Sequence, residues 1–228
     1  MIRGVIFDLD GTLLDTETLY RRFWVEAART LGYPMEDKHA LMIRSMAAVR
    51  AEALLKREVC PEFDYHAVRA LRRERMVAYI DKNGVIPKPG MPDVLRVLKN
   101  AGLKIGLATA TPEARARKYL RMVDAEAYFD AVTCADMVAC GKPAPDIYLL
   151  AAKRLGIAPG EAAAVEDAPT GIESAHRAGM LTILIPDQDQ PDEKTRALCC
   201  AVLPSLRELP AFLQTKLTEK REIFRRNC

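Results

Sequence analysis

The sequence predicts an α/β protein: a Rossmann-like parallel sheet core, with an α-helical domain inserted just after the first strand. Three observations carry that prediction. Short apolar runs recur along the chain, and several are apolar on successive residues, as strands buried on both faces of a parallel sheet are. Amphipathic segments of helical period lie between them, so strand and helix alternate. The alternation fails between Asp15 and Pro87, where the pattern reads as helix throughout.

Taken in order, the expected strands are Gly4–Phe7, Lys104–Thr109, Ala131–Thr133, Ala162–Glu166, Leu181–Ile185 and Ala201–Leu203. The core helices between them are expected over Met91–Ala101, Pro112–Val123, Asp146–Leu155 and Pro169–Ala178. In the insertion, Leu19, Phe23, Trp24, Ala27 and Leu31 recur near helical spacing and predict a helix over Thr18–Leu31. Leu41–Leu55 and Tyr65–Ile80 repeat the pattern, punctuated by Gly32-Tyr33-Pro34 and Cys60-Pro61. The run Asn83-Gly84-Val85-Ile86-Pro87-Lys88-Pro89-Gly90 reads as the linker back into the core. The domains expected are therefore 1–15 with 88–228 for the core and 16–87 for the insertion. The basic tail Lys216–Cys228 is expected to begin as helix and end in solvent.

Composition narrows the function classes. Half of the 228 residues are hydrophobic and 29% are charged, which is globular and leaves material for a substantial core. A net charge of +3 is close to balance and does not mark a protein that tracks nucleic-acid phosphates. The longest apolar stretches, Ala162–Val165 and Met180–Ile185, are far too short to span a bilayer, and the N-terminus lacks signal-peptide features. Six cysteines lack metal-ligand spacing and read as reduced thiols of a cytoplasmic protein. His39, His66 and His176 are far apart and read as surface or packing residues. No nucleic-acid or membrane partner is expected, and the assembly expected is a monomer or weak homo-oligomer.

The polar residues at the strand ends carry the chemistry. In an open parallel sheet, reactive groups gather outside the carboxyl ends of the strands. The first strand ends Asp8-Leu9-Asp10-Gly11-Thr12, the second Leu107-Ala108-Thr109-Ala110-Thr111, and another Val165-Glu166-Asp167-Ala168-Pro169. The loop before the Asp146 helix reads Gly141-Lys142-Pro143-Ala144-Pro145. Singly, each has a structural explanation: Asp and Thr cap helices, acids complement helix dipoles, and Lys142 is one lysine among many. Together they concentrate Asp8, Asp10, Glu166 and Asp167 in one crevice, and such crowding raises carboxyl pKa values or demands a cation. An oxygen-rich site suits Mg²⁺, which takes few carboxylates plus substrate phosphate. Lys142 adds a positive charge where an anion would sit, and the Thr109 hydroxyl and following amides add hydrogen bonds. Metal, lysine, hydroxyl and amides around a carboxylate describe a phosphoryl-transfer site.

DLDGT, the strand-end Thr109, GKPAPDIY and VEDAPTGIESAHRAGM, in this order, resemble the haloacid dehalogenase superfamily of phosphohydrolases. The resemblance covers the chain from Ile2 to Phe212, and the helical insertion resembles that of the group with a small α-helical cap. It implies that Asp8 is the nucleophile, forming an aspartyl-phosphate, and that Asp10 is the general acid/base. Thr109, Ala110 and Thr111 would hold phosphoryl oxygens, Lys142 would counter the charge of Asp8 and phosphate, and Gly11 would make the turn that aims the acids. Mg²⁺ would be held by Asp8, Asp10 through its carbonyl, and Asp167, with Glu166 as a further or alternative ligand. Among the cap arginines (44, 50, 72, 73 and 75), Arg50 and Arg75 are the preferred contacts for a substrate's sugar or second phosphate. Thr16, Glu17 and Tyr20 follow the first motif at the hinge. β-Phosphoglucomutases of the family carry a histidine close to the position of Tyr20, and its absence here tilts the choice to phosphatase.

The activity expected is thus a Mg²⁺-dependent phosphatase of a small phosphorylated metabolite, a sugar phosphate. The alternative is a phosphosugar mutase of the β-phosphoglucomutase type. A receiver-like phosphorylation switch also combines acids, hydroxyl and lysine, but receivers are much shorter and lack a helical insertion.

Overall fold

The structure, a computed structural model, describes residues 1–44, 46 and 48–215. The tail from Lys216, with the helix expected at its start, lies outside the described residues, as does Cys228. In chain order the elements are β1 (Gly4–Phe7), α1 (Glu17–Thr30), α2 (Asp37–Met42), α3 (Ala48–Glu58), α4 (Tyr65–Asn83) and α5 (Met91–Asn100). Then come β2 (Lys104–Thr109), α6 (Glu113–Met122), β3 (Ala131–Cys134), α7 (Asp146–Leu155) and β4 (Ala162–Glu166). The last are α8 (Pro169–Arg177), β5 (Leu181–Leu184), α9 (Glu193–Ala197) and β6 (Ala201–Val202). The chain divides into two compact units, one of Met1–Leu14 with the segment from Ile86 onward, the other of Asp15–Val85.

The first unit is a six-stranded, wholly parallel sheet in the order β3-β2-β1-β4-β5-β6. Every residue of β1 and β4 is buried, which is why those runs, up to the Glu166 that ends β4, are apolar or small rather than alternating. On one face Ile6, Ala108 and Ala164 pack against Ile147, Tyr148, Ala151 and Leu155 of α7 and Ala175 of α8. Ala162 and Ala164 of β4 are small and share this buried cluster with α7 and α8. Helix α5 buries Val94, Leu95 and Leu98. The chain leaves this unit at Leu14 and rejoins it alongside: Leu14 bridges Pro87, and the Lys88 N–H donates to Leu13 O at 2.8 Å. Because the two ends are adjacent, an insertion there leaves the sheet intact.

The second unit, α1 to α4, has its own core of Trp24, Ala27, Met35, Ala40, Leu55, Phe63, Tyr65 and Val68. Aromatic pairs stiffen it, Trp24 with Tyr65 at 5.4 Å between centroids and Tyr33 with Phe63 at 4.9 Å. The single helix expected over Leu41–Leu55 is corrected to two, α2 and α3. A reciprocal cap sets the start of α2, since Glu36 and His39 each accept from the other's backbone N–H. Its end follows from Ile43, which leaves helical geometry at φ −92°, ψ 0°. The apolar period alone bridged that break. Helix α4 runs to Asn83, three residues past the expected end, and stops where Gly84 takes φ +77°. The short α9 was not expected, and other boundaries differ by a residue or so at either end.

Candidate active site

The sheet order places β1 between β2 and β4, with the chain winding away from it in opposite directions. At such a reversal the carboxyl ends of the central strands border a crevice. Register makes those ends level: Phe7 pairs with Leu107 on one side and Val165 on the other. One residue further on, Asp8 is level with Ala108 and Glu166, its N–H still donating to Val165 O at 2.9 Å.

Asp8, Glu166 and Asp167 are buried, and each offers a carboxylate oxygen within 4.8 Å of the others. Lys142 lies among them. Its Nζ donates to Asp8 Oδ1 at 2.5 Å, to Glu166 Oε1 at 2.6 Å and to Ala108 O at 2.9 Å. An ammonium has three protons, and all three are used. Burial alone would discharge Lys142, but Asp8 and Glu166 outweigh it and hold its pKa above the ordinary lysine range. Burial pushes the Asp8 carboxyl well above the usual carboxylate range; Lys142 opposes this, while Glu166, Asp167 and Asp10 add to it. Three buried carboxylates against one ammonium leave negative charge uncompensated. An all-oxygen donor set with that excess fits a hard divalent cation.

The remaining predicted residues surround this cluster. Gly11 has φ +85°, a left-handed conformation that β-carbon-bearing residues resist, and its N–H donates to Leu14 O at 2.9 Å. Asp10 is half-buried; its Oδ2 accepts from Thr111 Oγ1 at 2.7 Å, and its carboxylate is not one of the three that converge. Thr109 is fully buried, and its Oγ1 accepts from the Thr111 N–H at 3.0 Å. Ala110, between them, is exposed. Thr111 thus both turns the loop and holds Asp10.

In the insertion, Arg50 is exposed on α3. Arg75 donates from Nη1 to Thr30 Oγ1 at 2.8 Å, tying α4 to α1. Arg44 pairs with Glu17 at 3.3 Å. Arg72 is buried over Tyr20 and Trp24, at 4.5 and 5.3 Å from the ring centroids, and burial lowers its pKa. Glu17 and Tyr20 are therefore engaged inside the helical unit.

Three contributors were not anticipated. Thr12 Oγ1 donates to Asp167 Oδ1 at 3.1 Å. Tyr148 donates its hydroxyl to Glu166 Oε1 at 2.5 Å. Gly171 lies so close that a β-carbon there would fall 2.0 Å from the Glu166 carboxyl carbon. Thr12 and Tyr148 stand inside the DLDGT and GKPAPDIY stretches, so a signal for both was present. Gly171 lies five residues after Glu166, in the first turn of α8 and inside the VEDAPTGIESAHRAGM stretch.

Fold and site together define an α/β enzyme whose polar residues converge at the end of its first, central strand. The chain belongs to the haloacid dehalogenase-like hydrolase family, whose model matches residues 2–179. It is 34% identical over 184 residues to a phosphorylated carbohydrates phosphatase of Thermotoga maritima, covering 78% of this chain and 82% of that one. It is 33% identical over 178 residues to the fructose-1-phosphate phosphatase YqaB of Escherichia coli, covering 78% and 93%. Among solved structures, CbbY from Rhodobacter sphaeroides in complex with phosphate superposes with a TM-score of 0.71 at 29% identity, covering 92% of this chain and 96% of that one.

Proposed function

We propose that the protein is a Mg²⁺-dependent phosphatase of a small phosphorylated metabolite, a sugar phosphate, acting through an aspartyl-phosphate on Asp8. The observation that carries this reading is Lys142 bonded at once to Asp8 and Glu166 in the crevice where Asp167 also points. The named activities of the relatives, a phosphorylated carbohydrates phosphatase and a fructose-1-phosphate phosphatase, support the substrate class.

A carboxylate oxygen of Asp8 attacks phosphorus, and the bond from phosphorus to the sugar oxygen breaks. Asp10 gives its proton to the departing oxygen. As a carboxylate it then takes a proton from water, whose oxygen attacks phosphorus; the bond to Asp8 breaks and phosphate leaves. Thr111, bonded to Asp10 Oδ2, orients that carboxyl through both steps. Lys142 holds Asp8 in place and offsets the charge gathering there. Thr109, the Ala110 amide and Thr111 are the proposed holders of phosphoryl oxygens, with Gly11 shaping the turn beside them. Asp8, Asp167, the Asp10 carbonyl and Glu166 are the proposed holders of Mg²⁺, which would neutralise phosphate charge. Arg50 and Arg75 are the proposed specificity positions of the insertion, and residues 16–87 its proposed extent.

Among the described residues no helix is long and apolar enough to cross a membrane. The free thiols of Cys60, Cys134, Cys140, Cys199 and Cys200 support a cytoplasmic setting. The assembly proposed is a monomer or weak homo-oligomer.

The test is release of phosphate from a panel of sugar phosphates in Mg²⁺, with isomer formation followed in parallel. Asp8→Asn is expected to abolish release. Full activity in that variant would sink the mechanism, and rapid isomer formation dependent on a bisphosphate would move the assignment to a mutase.

A further inference from the structure

We infer that Tyr148 is a positioning residue of the site: it locks the Glu166 carboxylate against Lys142, and so sets where Lys142 stands on Asp8. The inference rests on the phosphatase reading for its kinetic consequence, though not for its geometry.

The argument starts from donors and acceptors. Glu166 Oε1 receives the Lys142 ammonium at 2.6 Å and the Tyr148 hydroxyl at 2.5 Å. A carboxylate oxygen offers two lone pairs, so those two donors fill it. What Glu166 has left for a cation is Oε2. Tyr148 also touches Lys142 directly, its ring centroid lying 5.2 Å from Nζ. One side chain therefore bonds the acceptor of Lys142 and presents a π face to Lys142 itself.

Tyr148 is in turn held rigidly. It is fully buried and packs with Ile147, Ala151 and the sheet residues Ile6 and Ala108. Opposing movement of Glu166, Gly171 leaves no room behind the carboxylate. Glu166 is thus pinned by a hydroxyl, an ammonium and a helix backbone. Lys142, with its three protons spent on Asp8, Ala108 and Glu166, takes its position from that pinning. Without the hydroxyl, a buried carboxylate oxygen loses one of two donors and is free to turn, carrying Lys142 with it.

Tyr148→Phe removes the hydroxyl and keeps the ring. Outer partners of this kind typically contribute roughly 10- to 100-fold. The expected result is a kcat lowered about 10-fold or more with KM within twofold. Mg²⁺ affinity of the free protein, measured by calorimetry, should fall by less than kcat does, because the oxygen that loses a donor is Oε1, given to lysine, while Oε2 is the one left for the cation. A crystal structure of the variant should show Lys142 Nζ displaced from Asp8 or Ala108. An unchanged kcat, a fall in Mg²⁺ affinity that matches the fall in kcat, or an unmoved Lys142 would each overturn the inference. If the unaltered protein releases no phosphate from any ester, the phosphatase reading fails, and the crystal structure alone decides the role of Tyr148.

Discussion

Lys142 Nζ and Asp8 Oδ1 are 2.5 Å apart although 134 residues separate them in the chain. Both side chains are about nine-tenths buried, and the same ammonium reaches Glu166. A buried pair of this kind is strong evidence of purpose but weak evidence of stability, since desolvating the charges opposes their attraction. What it does establish is cost on disruption.

Lys142→Met leaves Asp8 and Glu166 buried without their ammonium. The variant is expected to lose roughly 3–5 kcal/mol of folding stability in denaturant unfolding. Its kcat should fall by about 10²- to 10³-fold, as when a preorganised electrostatic donor is removed. A stable variant with unchanged kcat would show that the ammonium is not part of the chemistry.

The Asp8 carboxyl is raised in the folded protein, chiefly by burial. A raised folded value means that its contribution to stability is complete below the unfolded value of about 3.9 and is lost as pH rises through the folded value. Without a divalent cation, Asp8→Asn should therefore be more stable than the parent at pH 8, and the difference should shrink towards pH 4. Scanning calorimetry in a chelator checks this. Saturating Mg²⁺ should remove the advantage by stabilising the parent. A difference that does not vary with pH would count against an uncompensated Asp8.

Gly171→Ala puts a β-carbon 2.0 Å from the Glu166 carboxyl carbon. Neither α8 nor the pinned carboxylate can yield freely, so a loss of about 1–3 kcal/mol is expected, with a fall in kcat. Gly160→Ala is the control, because the nearest atom to its added β-carbon is 4.0 Å away. Comparing the two thermal midpoints and turnover rates separates crowding at Glu166 from the general effect of adding a methyl group.

Arg75→Ala removes the bond to Thr30 that ties α4 to α1. A loss of about 1 kcal/mol is expected from that bond alone. A KM for sugar phosphate raised several-fold, beyond anything seen in Thr30→Ala, would support its proposed contact with substrate. Equal and purely thermal effects in both variants would make Arg75 a structural tie.

Several strands were legible because two-face burial writes itself as unbroken apolar or small residues, as in Gly4–Phe7 and Ala162–Val165. Asp8 and Asp167 were legible as the polar residues that follow those runs at their carboxyl ends, and Lys142 as the lysine of the loop before α7. The division of α2 from α3 was not, because an apolar period continues through a break that the Glu36–His39 cap and the geometry of Ile43 impose. Asp10 shows a finer limit: its place beside Asp8 was plain, but its bond to Thr111 depends on how two loops 101 residues apart meet.

By itself the sequence determined which residues stand at strand ends and what chemistry their side chains offer, because periodicity and residue type are local properties. Only the tertiary structure decided which of them touch. The parallel register of β1 with β2 and β4 made Asp8, Ala108 and Glu166 level, and α7 then delivered Tyr148 to the same carboxylate. Distances of 2.5 Å between residues far apart in the chain depend on that register and on close packing over small side chains, which no local pattern records.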